Sequence, residues 1–208
     1  MDLPFDPLTP ETWYGGYYEA GMILGAHGDV SANARLKSAI VALWENPNLR
    51  IGAIGDVSRW QSDTGQNLQD RTIDELQRIY GSFSNALGII PFTSITMREE
   101  KGDDWLYASV PLGGLQQSGG FPFEADSTAS QSWRQPLEQA LSVLVLDVFN
   151  SVGGVAAEIG FEVAGFIRTP PEALADDAER WVGYITKDEC AYRYWPTNVW
   201  SGWGARRD

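Results

Sequence analysis

The chain has 208 residues, 43% of them hydrophobic, which is long enough to bury one sizeable core. Its 28 acidic and 15 basic residues give a net charge of −13, a surface that repels phosphate backbones and argues against a nucleic-acid partner. A single cysteine, Cys190, and a single histidine, His27, exclude an intrachain disulfide and a structural zinc site built from His and Cys.

The first residues, 1–12, carry Pro4, Pro7 and Pro10 and predict an extended arm packed on the domain. They show neither the basic start nor the apolar stretch of a secretory signal. Residues 17–26, YYEAGMILGA, alternate with Tyr18, Ala20, Met22 and Leu24 on one face, as a half-buried strand does. A helix is predicted from the Asp29–Ser31 caps to about residue 45, with Leu36, Ala39, Ile40, Leu43 and Trp44 on one stripe. Asn46-Pro47-Asn48 stops it, and a strand follows at 49–57. Residues 58–70 are polar and read as a loop.

Thr72, with Asp74 and Glu75 behind it, is a helix start by capping and dipole. Ile73, Leu76, Ile79, Tyr80, Phe83 and Leu87 then predict a helix ending at Gly88. Strands at 89–99 and 104–113 meet across Glu100-Lys101-Gly102-Asp103, a hairpin loop. Residues 114–131 are predicted as a long polar loop. The stripe Leu137, Leu141, Leu144, Val145, Val148 and Phe149 marks a central helix at 133–151, ended by Gly153-Gly154. A strand at 156–167, a short helix near Pro170-Pro171, and two strands in WVGYITK and CAYRYW complete the chain. Residues 197–208 form an aromatic tail.

This order, β-α-β-α-β-β-α-β-(α)-β-β, predicts a single α+β domain over 1–208, a mixed sheet with its helices mainly on one face. The segment WLYASVPLGG at 105–114 echoes residues 17–26, and Ile-Gly strands at 49–55 and 157–163 follow each. A diverged β-α-β duplication would leave that pattern.

Chemistry is sparsely signalled. No phosphate loop, dinucleotide fingerprint or nucleophile elbow occurs, so no cofactor and no metal is expected. His27 could be oriented as a base by a nearby Asp, Asp29 being adjacent. Glu158 and Glu162 are four apart on a predicted strand and would share a face with Gly160 between them. Asp103 and Asp104 join Glu99 and Glu100 at the hairpin tip, where a basic partner could meet them. Asp147 interrupts the central helix's apolar run and needs a donor or solvent. Nine tryptophans are many for this length, and Trp200 and Trp203 lie in the tail, where exposed rings could anchor a partner.

Acidic surface and exposed aromatics together predict a non-catalytic binding protein of the immunity or inhibitor kind, directed at a basic protein partner. Its binding residues would be Glu158, Glu162, Trp200, Trp203, Asp103 and Asp104. One alternative is a hydrolase-like enzyme using the Glu158/Glu162 pair on a carbohydrate-like or small substrate. Another is an assembly subunit contacting a neighbour through 114–131 or 197–208. No apolar run is long enough to span a membrane, and a cytoplasmic setting with no membrane partner is expected.

Overall fold

The alternation of residues 17–26 becomes strand β1 (Tyr17–Ala26), and the helical stripe behind it becomes α1 (Ala32–Trp44). The computed structural model describes residues 3–61, 67–100, 102–121, 130–163, 174–175 and 178–200. After α1 come β2 (Leu49–Ile54), β3 (Arg78–Asn85), β4 (Gly88–Arg98) and β5 (Asp103–Pro111). Two helices follow, α2 (Leu112–Gly119) and α3 (Gln131–Val152). The chain then adds β6 (Ala156–Phe161), β7 (Gly183–Asp188) and β8 (Ala191–Trp195).

All eight strands form one sheet in the order β2-β3-β4-β5-β1-β6-β7-β8. The fold is α+β, as the element order predicts. The sheet is antiparallel at every junction rather than mixed. The physical reason is connectivity. β1 and β5, the two echo strands, lie side by side at the centre, and each receives a meander of three strands on its outer side.

The helices α1 and α3 pack on each other and on one face of the sheet. Tyr18, Ala20, Met22 and Leu24 of β1 meet Leu106, Ala108 and Val110 of β5 and Ala157 and Ile159 of β6 in that core. From above, α1 contributes Leu36, Ile40 and Leu43, and α3 contributes Leu137, Leu141, Leu144, Val145 and Phe149. Each such side chain stabilises the fold by roughly 1.5–3 kcal/mol on leaving water. The opposite face carries no helix of the described residues over its centre. There Trp105 and Tyr107 stack with ring centroids 5.9 Å apart, beside Ile23 and Ile95.

Three predicted elements differ. The helix expected from Thr72 lasts one turn. Its capping box forms, with Glu75 N donating to Thr72 Oγ1 at 3.3 Å and Thr72 N donating to Glu75 Oε2 at 2.8 Å. The Leu76 amide closes that turn on Thr72 and Ile73. From Arg78 the chain is strand, because Ile79, Gly81 and Phe83 also fit a two-residue period. β2 and β4 supply partners along both edges, and a paired strand satisfies its backbone as fully as a helix would. Asn85 and Gly88 then flank a two-residue hairpin turn, with Gly88 at φ +102.

The predicted loop at 114–131 begins instead as α2. Gly113 and Gly114 hid it, since glycine lowers helix propensity. They are present because α2 packs closely: a Cβ on Gly113 would stand 2.1 Å from the Glu11 carbonyl oxygen, and one on Gly114 2.1 Å from Pro91 Cγ. Residues 122–129 lie outside the described residues. The strand predicted to 167 ends at Phe161, followed by Glu162 at φ +44. The short helix predicted near Pro170 lies outside the described residues. The N-terminal segment, predicted as extended, carries a turn of 3-10 helix at Pro10–Trp13, and Trp13 Nε1 donates to Pro7 O at 2.9 Å.

Candidate functional site

The β4–β5 hairpin and the β1–α1 connection meet at one end of the sheet. Ala26 pairs with Asp103, and the His27 amide donates to Gly102 O at 3.0 Å. Beneath them Asp104 is fully buried, which corrects its placement at an exposed tip. An ionised carboxylate there needs paired donors, and it has them. Arg98 donates through Nε to Oδ1 at 2.9 Å and through Nη2 to Oδ2 at 3.0 Å, the bidentate geometry that guanidinium and carboxylate share. His27 Nδ1 lies 3.1 Å from Oδ1.

Asp104, 77 residues away in sequence, therefore orients the His27 ring, and the adjacent Asp29 does not. In the tautomer that donates through Nδ1 to this carboxylate, Nε2 is the ring's remaining acceptor. Asp29 is engaged by Arg35, at 3.3 Å. Arg98 also donates to Asn33 Oδ1 in the first turn of α1 at 2.7 Å. The network ties β4, β5, α1 and the β1–α1 connection into one rigid end.

On that base the outward groups are acidic and apolar together. Glu99, Glu100 and Asp29 are exposed and Asp103 is half-buried. Val30, in the turn entering α1, is fully exposed, and Met97 on β4 is 38% exposed. Uncovered apolar side chains at the same end of the sheet as these carboxylates are the composition of a contact surface more than of a plain solvated turn.

The Glu158/Glu162 pair does not form. Glu158 is buried on the helix-free face. Glu162 is exposed, past the end of β6, where its amide donates to Tyr17 O at 3.0 Å. The Glu162 carboxylate folds over Gly16 instead, 2.6 Å from where a Cβ on that glycine would stand. The positive φ at Glu162 turns the chain and breaks the shared face.

Glu158 finds a different acid. It sits opposite Gly21 while Glu19 sits opposite Gly160, which makes the two glutamates diagonal neighbours across β1 and β6, with Cα atoms roughly 7–8 Å apart. Glu19 is also buried and accepts from Ser109 Oγ at 2.8 Å.

Trp200 is half-buried and docked. The Arg134 guanidinium lies 5.0 Å from its ring centroid and 5.0 Å from that of Phe161, between the two rings in a cation–π arrangement. Tail residues up to 200 are held by the same region, with Thr197 N donating to Glu138 Oε1 at 2.8 Å. Trp200 thus holds the tail against α3 with part of its surface still open. Trp203 lies outside the described residues. Asp147 reaches solvent and accepts from Asn46 Nδ2 at 3.2 Å.

Sequence reasoning missed Arg98, Asn33 and Val30 at the acidic end, and Glu19 beside Glu158. Arg98 acts across the β4–β5 pair and Asn33 from α1, with no local pattern to mark either. Val30 carried one usable signal, an apolar residue inside the polar run from Gly28 to Asn33. No protein-family model matches the chain, and neither a curated protein nor a solved structure does.

Proposed function

We propose that this chain is a non-catalytic binding protein that presents the acidic end of its sheet to a basic protein surface. The observation that carries this reading is the exposure of Val30, Glu99 and Glu100, with half-buried Asp103, at one end of the sheet, on a base locked by Arg98 and Asp104. The base is preorganised, so little conformational entropy is lost on docking. The excess negative charge of the chain speeds encounter with a cation-rich partner and selects against acidic ones. Val30 and Met97 supply the apolar contact that charge alone lacks. Among the described residues no helix is long and apolar enough to cross a membrane.

The test is capture from a lysate of the source organism at low and high salt, with three immobilised forms. Wild type should retain a basic protein at low salt and release it as salt screens the contact. The triple variant Glu99→Lys, Glu100→Lys, Asp103→Lys should lose it. A control of equal charge change at distant exposed sites, Glu11→Lys, Glu45→Lys, Glu189→Lys, should keep it. Equal loss in both triple variants would reduce the effect to net charge, and capture by the first triple variant would refute the reading.

A further inference from the structure

At the other end of β1 the helix-free face carries a cleft of about 360 Å³, a volume within the range of small-molecule sites. Its walls are aromatic. Trp13 stands edge-on to Tyr80, with centroids 4.9 Å apart and planes at 75°. Trp13 is held further by Trp60 at 6.2 Å and by its own bond to Pro7 O. Tyr17 closes another side, its hydroxyl donating to Trp13 O at 3.3 Å. Tyr14 and Leu8 project at the rim, 65% and 60% exposed.

One cation lies in this cleft. Arg78 is exposed at the start of β3, and among the described residues the one hydrogen bond of its guanidinium is a long one from Nη1 to Tyr80 Oη, 3.4 Å. No carboxylate of the described residues reaches salt-bridge distance of it. The chain has almost twice as many acids as bases, yet this guanidinium stands beside fixed rings with its charge open to an anion. Arg35, Arg71 and Arg98 each have a carboxylate; Arg50 and Arg59 have none among the described residues, but neither lines this cleft. The charge is also felt locally: burial raises the Tyr17 hydroxyl above its ordinary 10.0, and Arg78 opposes that rise.

We propose that this cleft binds a small anion carried on an aromatic ring, an aryl carboxylate or aryl phosphate. Arg78 takes the charge through its fork of donors. Trp13, Tyr80 and Tyr14 take the ring by edge and face contact. The rings cannot serve a bare anion, and the guanidinium cannot serve a neutral arene, so the site selects the two features together. The cleft is too small for a folded partner. It lies at the opposite end of β1 from the acidic surface and stands or falls independently of the function proposed above.

The test is NMR titration of the full chain with benzoate, phenyl phosphate, benzamide and inorganic phosphate. Benzoate and phenyl phosphate should bind saturably with Kd on the order of 1 mM, the affinity expected of ligands this small, and shift the Trp13 indole resonance. Benzamide and inorganic phosphate should each bind about tenfold more weakly, since each lacks one of the two contacts. Arg78→Gln should weaken both ring-bearing anions by about tenfold or more, the loss of a charged hydrogen bond. Tyr14→Ala, at a side chain that contributes little to the core, should weaken them severalfold with the melting temperature unchanged. Unchanged affinity in Arg78→Gln, equal binding of inorganic phosphate and phenyl phosphate, or no saturation by either ring-bearing anion would overturn the proposal.

Discussion

Glu138 shows how much one buried residue can organise. It lies on α3, 1% exposed, and accepts from Tyr18 Oη at 3.0 Å, Tyr194 Oη at 2.5 Å and Thr197 N at 2.8 Å. One carboxylate thus ties the central strand, the edge strand β8 and the tail to the central helix. Glu138→Ala strands these buried donors, each costing about 1–3 kcal/mol. We expect a total loss of at least about 3 kcal/mol in urea unfolding, and a smaller loss in Glu138→Gln, which retains one acceptor oxygen.

The same site sets an alkaline limit. Burial first, and then the Glu138 charge, raise the Tyr18 and Tyr194 hydroxyls above their ordinary 10.0. A phenol with a raised folded pKa contributes stability fully present below its unfolded value and lost as pH rises towards the folded one. Stability measured from about pH 8 to about pH 11 should therefore hold to near 10 and fall beyond it. Tyr194→Phe should flatten part of that fall. A profile with no decline above pH 10 would contradict the assignment.

At the scale of elements, glycine decides where strands and aromatics meet. Gly81 of β3 faces α1, and a Cβ there would stand 2.1 Å from the Arg50 carbonyl oxygen and 2.7 Å from Trp44 Cζ3. Trp44 is fixed in turn by its Nε1 donating to Ser94 Oγ at 2.8 Å. The crowded atom on one side is backbone, so the strand pair cannot yield cheaply. Gly81→Val should cost about 3 kcal/mol by overpacking, while Gly88→Asn in the hairpin turn should cost less, since a Cβ there meets nothing within 4 Å and only the strain of a side chain at φ +102 remains. Paired thermal melts of the two variants check this.

The Thr72–Glu75 box belongs to the same scale. Its local signal is real, and the Thr72 amide and then Arg71 hold the Glu75 carboxyl below its ordinary 4.5. That small contribution is present above the ordinary value and lost as pH falls through the depressed one. A cap starts a helix but does not sustain it, because propagation needs packing along a stripe. Here the residues after Leu76 found better partners in β2 and β4.

For the whole molecule, the succession strand, helix, three strands occurs twice: β1, α1, β2–β4, then β5, α3, β6–β8, with α2 inserted after β5. The two central strands pair so that Ala20 faces Ala108, the alanines that match in the sequence echo. The halves are not equivalent, however. The first meander joins the centre through its last strand, β4 against β5, and the second through its first strand, β6 against β1.

Each central strand therefore has all its neighbours in the other half: β1 lies between β5 and β6, and β5 between β4 and β1 with only β4–β5 joined by a hairpin across the divide. Cut between Arg98 and Asp103, the fragment of residues 1–98 keeps β1 with no strand partner, and its apolar face would be exposed. Neither it nor 99–208 should fold alone, and mixing them should restore the spectrum of the intact chain. A well-dispersed NMR spectrum from either fragment by itself would contradict this.

The amino-acid sequence determined the α+β class, β1, α1, the β4–β5 hairpin and α3, because each rests on a local period of apolar residues that its own neighbours enforce. It also determined the acidic surface. Tertiary structure decided that residues 78–85 are strand, where both periods fitted and only flanking strands could choose. It decided that Asp104 is internal, that Glu158 lies diagonal to Glu19 rather than sharing a face with Glu162, and that Trp200 lies on Arg134. These outcomes depend on partners such as Tyr18 and Glu138, 120 positions apart. Burial and pairing are properties of the assembled sheet, and no local pattern carries the identity of a residue's neighbour across it.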